Sequence, residues 1–217
     1  MMPLTFPLPL SEFQDVIRVS KRGFSVNSPM NRSRTAGGVP LPSSIGEPVW
    51  RGSFEIPLTN DRSVSGRIDS LLSVLDFSGA SFLVYDPAQP YPAADPDGDI
   101  LGAAIPTVRA LDVNDARMVA VGNLPDSYVL TAGDLVGWRS GDQYMLHRLV
   151  SDVSADSFGD TPLFEVRPFI QPTTQVGDLV TLVKPVMKAV LESSPDYGSA
   201  RAVISSGKSF SFVQSLR

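Results

Sequence analysis

Three short stretches of this chain, and one class of residue pair, carry types and spacings that could do chemistry. The first is Asp95-Pro96-Asp97-Gly98-Asp99, which sets carboxylates at positions 1, 3 and 5 of a calcium loop. An EF-hand also needs Gly at position 6 and Glu at position 12. Those positions are Ile100 and Pro106, so the stretch reads as a solvated connection instead. The second is Ser206-Gly207-Lys208-Ser209, which ends like a phosphate-cradling G-K-[ST] loop. That loop requires a Gly five residues before its second Gly, a position held here by Ala202, and a helix after it. The chain continues as alternating SFSFVQ with eight residues left after Ser209, which is strand-like. The third is His147, the single histidine, inside QYMLHRLV. No G-x-S-x-G elbow accompanies it, so a strand histidine satisfied by a neighbouring hydrogen bond is expected. The fourth class, a pair of carboxylates for glycoside hydrolysis, leaves no local signature. Most of the 23 acids sit in turn-like segments, where solvation explains them.

Composition narrows the rest. With no cysteine, disulfide frameworks, thiol nucleophiles and Cys-type zinc sites are excluded. One histidine excludes any site built on two from this chain. The expectation is a non-enzyme without metal or cofactor. Nineteen prolines in 217 residues, against a usual share of about 5%, call for turns and extended segments rather than long helices. The start, MMPLTFPLPLSEF, has no basic n-region and is broken by Pro3, Pro7 and Pro9, so it is a poor export signal. The longest unbroken apolar runs are four residues, against the roughly 20 of a bilayer span. A soluble protein made in a cytoplasm, without membrane insertion, is expected.

Charge divides the chain. Residues 1–90 carry eight acids and eight bases, residues 91–190 thirteen acids and seven bases, and residues 191–217 two acids and three bases. The acidic middle argues against nucleic-acid readout, which needs phosphates neutralised by Lys and Arg. In the first part Arg18, Lys21, Arg22, Arg32 and Arg34 form a basic run with no acid between positions 18 and 34. These five are the candidate interface cations. Trp50 is a sixth candidate, because Trp and Arg are enriched at interface centres and Arg51 stands beside it. A solvated face and a core tryptophan are the plainer readings of the same residues.

The elements that would position these groups follow from periodicity. A short helical turn after Ser11 places Phe13, Val16 and Ile17 on one side, and a strand runs through Arg18–Asn27. A long Gly/Ser/Pro loop then covers Asn31–Pro48, and loops of that length are commonly functional. Trp50, Gly52, Phe54, Ile56 and Leu58 alternate with polar residues as a half-buried strand. Ile68, Leu71, Leu72 and Leu75 recur at helical spacing over about 61–76, with Thr59, Asn60 or Asp61 able to cap. SGASFLVYD gives a buried strand. The segment DPAQPYPAADPDGD, with four prolines and four aspartates, reads as an extended and exposed linker over 89–104. Residues 105–187 hold a succession of short strands (TVRALDV, ARMVAVG, DLVGWR, QYMLHRLVSDV, PLFEVRPF, DLVTLV), as in a small OB-like barrel. The tail, 188–217, holds further strands with Phe210 and Phe212 alternating with serines. Its near-neutral charge matches residues 1–88, so it is expected to complete that first domain, making the barrel an insertion. The fold class is thus mainly β: a β-sandwich domain with one helix, completed by the C-terminal strands, plus an inserted OB-like barrel.

The stretches FPLPLSEFQDVIRV, SRTAGGVPLPSSIGEPVWRGSFEIP and FLVYDPAQPYPAADPDG resemble tail proteins of siphophages and prophages of alphaproteobacteria. LTAGDLVGW, YMLHRLVSDVSAD, TPLFEVRPFI, VTLVKP and the terminal FSFVQSLR are similar to the same group, so the resemblance covers most of the chain. It is closest to the distal tail proteins, which form the ring between tail tube and baseplate hub. The resemblance implies a tube-like β-sandwich in a homohexameric ring, with tail tube protein, baseplate hub and tail fibres as partners. It implies a place in the virion at the distal tail, after synthesis in the host bacterial cytoplasm. It brings no catalytic residues. Two other classes stay open: a carbohydrate-binding module, which would need exposed aromatics among Trp138, Tyr144, Phe158, Phe169 and their neighbours, and a hydrolase using paired acids.

Overall fold

A computed structural model describes residues 4–59, 61–198 and 207–217. The chain runs through β1 (Lys21–Asn27), β2 (Met30–Arg34), β3 (Pro40–Ser44), β4 (Val49–Ile56), α1 (Arg62–Leu75) and β5 (Phe82–Val84). It continues with β6 (Thr107–Leu111), β7 (Met118–Gly122), β8 (Val129–Leu130), β9 (Leu135–Ser140), β10 (Gln143–Leu149), β11 (Val153–Ser154), β12 (Phe164–Arg167) and β13 (Val180–Thr181). It ends with β14 (Met187–Leu191) and β15 (Lys208–Gln214). The protein is mainly β, with one helix among the described residues, and divides into a sheet unit and a small barrel.

The sheet unit is a five-stranded antiparallel sheet in the order β1-β4-β15-β14-β5. The C-terminal strand β15 therefore sits at its centre, between β4 and β14. Period-two alternation buries Trp50, Phe54 and Ile56 of β4 with Phe210 and Phe212 of β15, while Arg51, Ser53 and Glu55 face out. The alternation stops at Ile56; Leu58, expected to continue it, is exposed. Helix α1 covers this face through Ile68, Leu72 and Leu75. Its first turn is capped by Asp61, whose Oδ1 accepts from the amides of Ser63 (2.8 Å) and Val64 (3.3 Å).

The two edges of the sheet are treated differently. At β5 the N-terminal segment adds itself as a further bridge: Leu8 N donates to Ser81 O and Leu8 O accepts from Leu83 N, both at 2.9 Å. The buried Gln14 side chain then pairs both ways with the Tyr85 backbone, donating to its carbonyl at 2.9 Å and accepting from its amide at 2.8 Å. The β1 edge receives no such cover among the described residues, and the chain leads from it directly into β2 and β3. Here the structure departs from the long loop expected over Asn31–Pro48: residues 30–44 form a two-stranded hairpin.

The barrel takes the order β13-β9-β10-β12-β7-β6. It nearly closes where β6 meets the segment before β13: Val108 N donates to Asp178 O (2.9 Å), Gly177 N to Val108 O (2.8 Å) and Val180 N to Pro106 O (2.9 Å). A small pair, β8 with β11, lies beside it. Strands β9 and β10 serve both units. Their alternation sends Val136, Trp138 and Met145 into the barrel core and Leu135 and Leu146 into the core of the sheet unit.

The segment over 86–104 is not the exposed linker that its prolines and aspartates suggest. Asp86 and Asp95 are buried, and Asp95 accepts from the amides of Ile100 (3.1 Å) and Leu101 (2.9 Å) and from the Tyr128 hydroxyl (3.1 Å). Ala93 N donates to Asp134 Oδ1, and Lys184 N to Pro90 O. The prolines shape a folded strap whose carboxylates satisfy backbone donors. A strand expected early in the tail falls largely on residues 199–206, outside the described residues.

Candidate functional site

Of the six candidate interface residues, three are bound within the chain. Lys21 pairs with Glu55 across the β1–β4 ladder at 2.8 Å, both side chains largely exposed. Its pKa is raised by the hydrogen bond and charge of that carboxylate. Arg22 reaches Asp86 at 2.8 Å, and this carboxylate is fully buried, so the guanidinium compensates a charge that would otherwise be stranded. The basic run lacks acids in sequence but not in space, and two of its members are neutralised by residues 34 and 64 positions away. Trp50 is fully buried, with its ring beneath the Arg148 guanidinium at 5.0 Å and its indole bonded to a barrel carbonyl. It packs a seam within the chain and has no surface to offer outside it.

Arg18, Arg32 and Arg34 remain exposed, and none forms an ion pair among the described residues. Arg18 borders a groove of about 400 Å³ beside α1, lined by Val16, Ile56, Leu58 and Val64. Arg32 and Arg34 stand two residues apart on β2, which puts them on one face of the hairpin with Met30. Register places Pro42 opposite Arg32 and Pro40 opposite Arg34. Every residue of both strands is exposed. A two-stranded hairpin of this kind is marginally stable in water. The sequence signal for it was the Ala36-Gly37-Gly38 turn between two five-residue runs; the prolines of β3 obscured it, though an outer strand tolerates them.

The other chemical candidates are each tied into structural roles. His147 lies in β10 with its ring stacked on Trp138 (4.3 Å between centroids, 16°), and its Nδ1–H donates to Pro168 O at 2.8 Å. Burial holds its pKa down to about 4, and Nε2 has no partner among the described residues. Lys208 opens a strand, not a helix, and its ammonium is held by Ser65 O (3.0 Å), Ser65 Oγ (2.8 Å) and Asp69 (2.6 Å) on α1. No group on it is left for a phosphate. Asp115 and Glu165 both flank Arg117, at 2.6 and 3.5 Å, and the Arg117 hydrogen bond holds the Asp115 carboxyl down to about 2. A glycosidase acid needs the opposite shift. Asp61, Asp95 and Asp156 are displaced downwards as well, by backbone and hydroxyl donors. Among the described residues no cluster of His, Asp and Glu forms a metal centre.

Aromatic side chains of the barrel follow the same division. Tyr128, Trp138 and Phe164 are core, Arg139 covers Tyr144 at 5.2 Å, and Arg167 lies over Phe169 at 5.0 Å. Phe158 alone among the barrel's aromatic residues stands almost fully free, 86% exposed. Composition gave it no distinction from its buried neighbours. No protein-family model matches the chain, and no curated protein matches it.

Proposed function

We propose that this protein is a structural ring subunit of a phage tail, placed at the distal end where the tube meets the baseplate hub. On this reading it is not an enzyme, its partners are further copies of itself, the tail tube protein, the hub and tail fibres, and it resides in the virion. The observation that carries the reading is the β2–β3 hairpin, exposed along both strands, with two arginines that no carboxylate of the described chain answers. An appendage of this kind gains its stability from a partner. The architecture supports the reading too: the barrel leaves and rejoins the sheet unit on neighbouring strands β5 and β14. Strands β9 and β10 anchor it on the sheet unit, and its other faces are available for fibres or hub.

The experiment is the particle mass of the purified chain across a concentration series, with negative-stain images of the heaviest species. A closed ring with six-fold symmetry is the expected result. A chain that stays monomeric at every concentration and does not associate with tail tube protein would overturn the assignment.

A further inference from the structure

We infer that the basic face of the hairpin in one copy docks on an acidic, Phe158-bearing loop pair at the end of the barrel in the next copy. The inference rests on the ring reading and names the two faces that meet in it. The first face is Met30, Arg32 and Arg34, with Pro40 and Pro42 opposite. It carries two unanswered positive charges on a flat, proline-backed surface.

The second face is built by two loops that bond to each other. Leu124 N donates to Gly159 O (3.0 Å) and Ser127 N to Asp156 O (3.4 Å), so the turns over 123–128 and 155–160 form one knob. Asp126 and Asp156 both belong to it and neither forms an ion pair among the described residues. Asp160, next to them, is answered by Arg109 at 3.1 Å. Phe158 projects from the same knob. The knob is stiff: Asp156 Oδ1 accepts from Phe158 N and Asp160 N, both at 2.9 Å, and Gly159 sits at φ 80° against the Leu124 backbone, where a side chain would collide. Phe158 is therefore held out by the backbone and not by chance of rotamer.

The two faces complement each other in charge and in side-chain chemistry. Two arginines meet two aspartates, and an aromatic ring meets prolines and guanidinium planes, on which it stacks favourably. The hairpin's arginines reach no carboxylate among the described residues of their own chain, which leaves them free for the carboxylates of a second copy. Because the faces differ, the interface is heterologous and propagates into a ring or a filament.

The test is a charge swap on the full-length chain. Arg32→Glu with Arg34→Glu reverses the hairpin, and Asp126→Lys with Ser157→Lys, an exposed neighbour in the same turn, reverses the knob; Asp156 is left intact because its turn depends on it, and Phe158 because its ring is part of the contact. Each variant alone is expected to raise the dissociation constant of assembly at low salt by about tenfold or more. Mixed in equal amounts the two are expected to assemble again, because reversed hairpins then meet reversed knobs in alternation. Far-ultraviolet circular dichroism on each variant checks that it is folded. Wild-type assembly with variants that assemble equally well overturns the docking and leaves the ring reading standing. Variants that fail alone and are not rescued by mixing overturn the pairing of these two faces. A wild-type chain that never self-associates overturns both.

Discussion

The indole N–H of Trp50 donates to the backbone carbonyl of Leu146 across 2.6 Å, joining the central face of the sheet unit to the barrel. Both residues are fully buried. Strand β12 pairs with β10 only at Arg148 and Leu149, which leaves the earlier carbonyls of β10 that face away from β9 to be answered from elsewhere. Trp50 answers Leu146, and Gln214 of β15 answers Tyr144 at 3.3 Å. Replacing Trp50 by Phe keeps most of the apolar volume and removes the donor. The buried carbonyl then goes unpaired, which costs about 1–3 kcal/mol. Denaturant titration should show a lower midpoint with an unaltered fold; an unmoved midpoint would mean that the carbonyl finds another donor.

His147 sets a pH window for stability. Its folded pKa lies near 4, below the ordinary value of 6.5, because burial disfavours the imidazolium. Below pH 6.5 the unfolded chain takes up a proton that the folded chain refuses until about pH 4, so stability falls as pH drops through that window. The loss reaches about 3 kcal/mol at its full extent. Asn at position 147 keeps an N–H donor near Pro168 O but does not titrate. Unfolding free energies of the wild type and of His147→Asn, measured from pH 7 to 4, should diverge in slope, with the variant flatter.

Gly52 and Phe212 form one packing decision. The Phe212 ring lies over Gly52 where a Cβ would stand, and it also meets Phe54 at 4.9 Å and Phe82 at 5.8 Å. Gly52→Ala should destabilise by about 1–3 kcal/mol, as overpacked cores do. Adding Phe212→Leu should recover part of that loss, since the aliphatic chain can withdraw. Strictly additive effects in this double-mutant cycle would refute the steric account.

Asp95 holds the strap together by accepting three hydrogen bonds. Asp95→Ala should release the segment around Asp97–Leu101 while the two cores persist. Limited proteolysis should then cut the variant there and spare the wild type. Equal resistance would place the strap's order in its prolines alone.

The sequence disclosed what local periodicity encodes. Helix α1 and the in-out alternation of β4 and β15 follow from side-chain spacing, and the structure has them within a residue or two; of the three cap candidates Thr59, Asn60 and Asp61, the helix uses Asp61. Strand β14 escaped the sequence reading because Met187-Lys188-Ala189-Val190-Leu191 is short and breaks the alternation. The strap escaped because Asp and Pro signal solvation by composition, yet Asp95 is buried once distant amides arrive to occupy it. The candidate cations show the same limit: a run without local acids is not a run without partners. Glu55 and Asp86 come to Lys21 and Arg22 only through the pairing of β1 with β4 and the curl of the sheet.

The barrel leaves the sheet after Val84 and the chain returns at Met187, and these two residues are register partners on adjacent strands. Adjacent antiparallel strands lie about 4.8 Å apart, a gap that a two-residue turn can bridge as readily as a whole domain does. Such a junction imposes almost no condition on what is spliced into it. Lineages could exchange, enlarge or shed the inserted module without re-registering a single strand of the sheet. Trp50 is the counterweight. A chain that discarded its barrel would expose an indole N–H with nothing to bind and lose Leu135 and Leu146 from the sheet unit's core, so loss of the insertion should travel with replacement of that tryptophan and repacking around it.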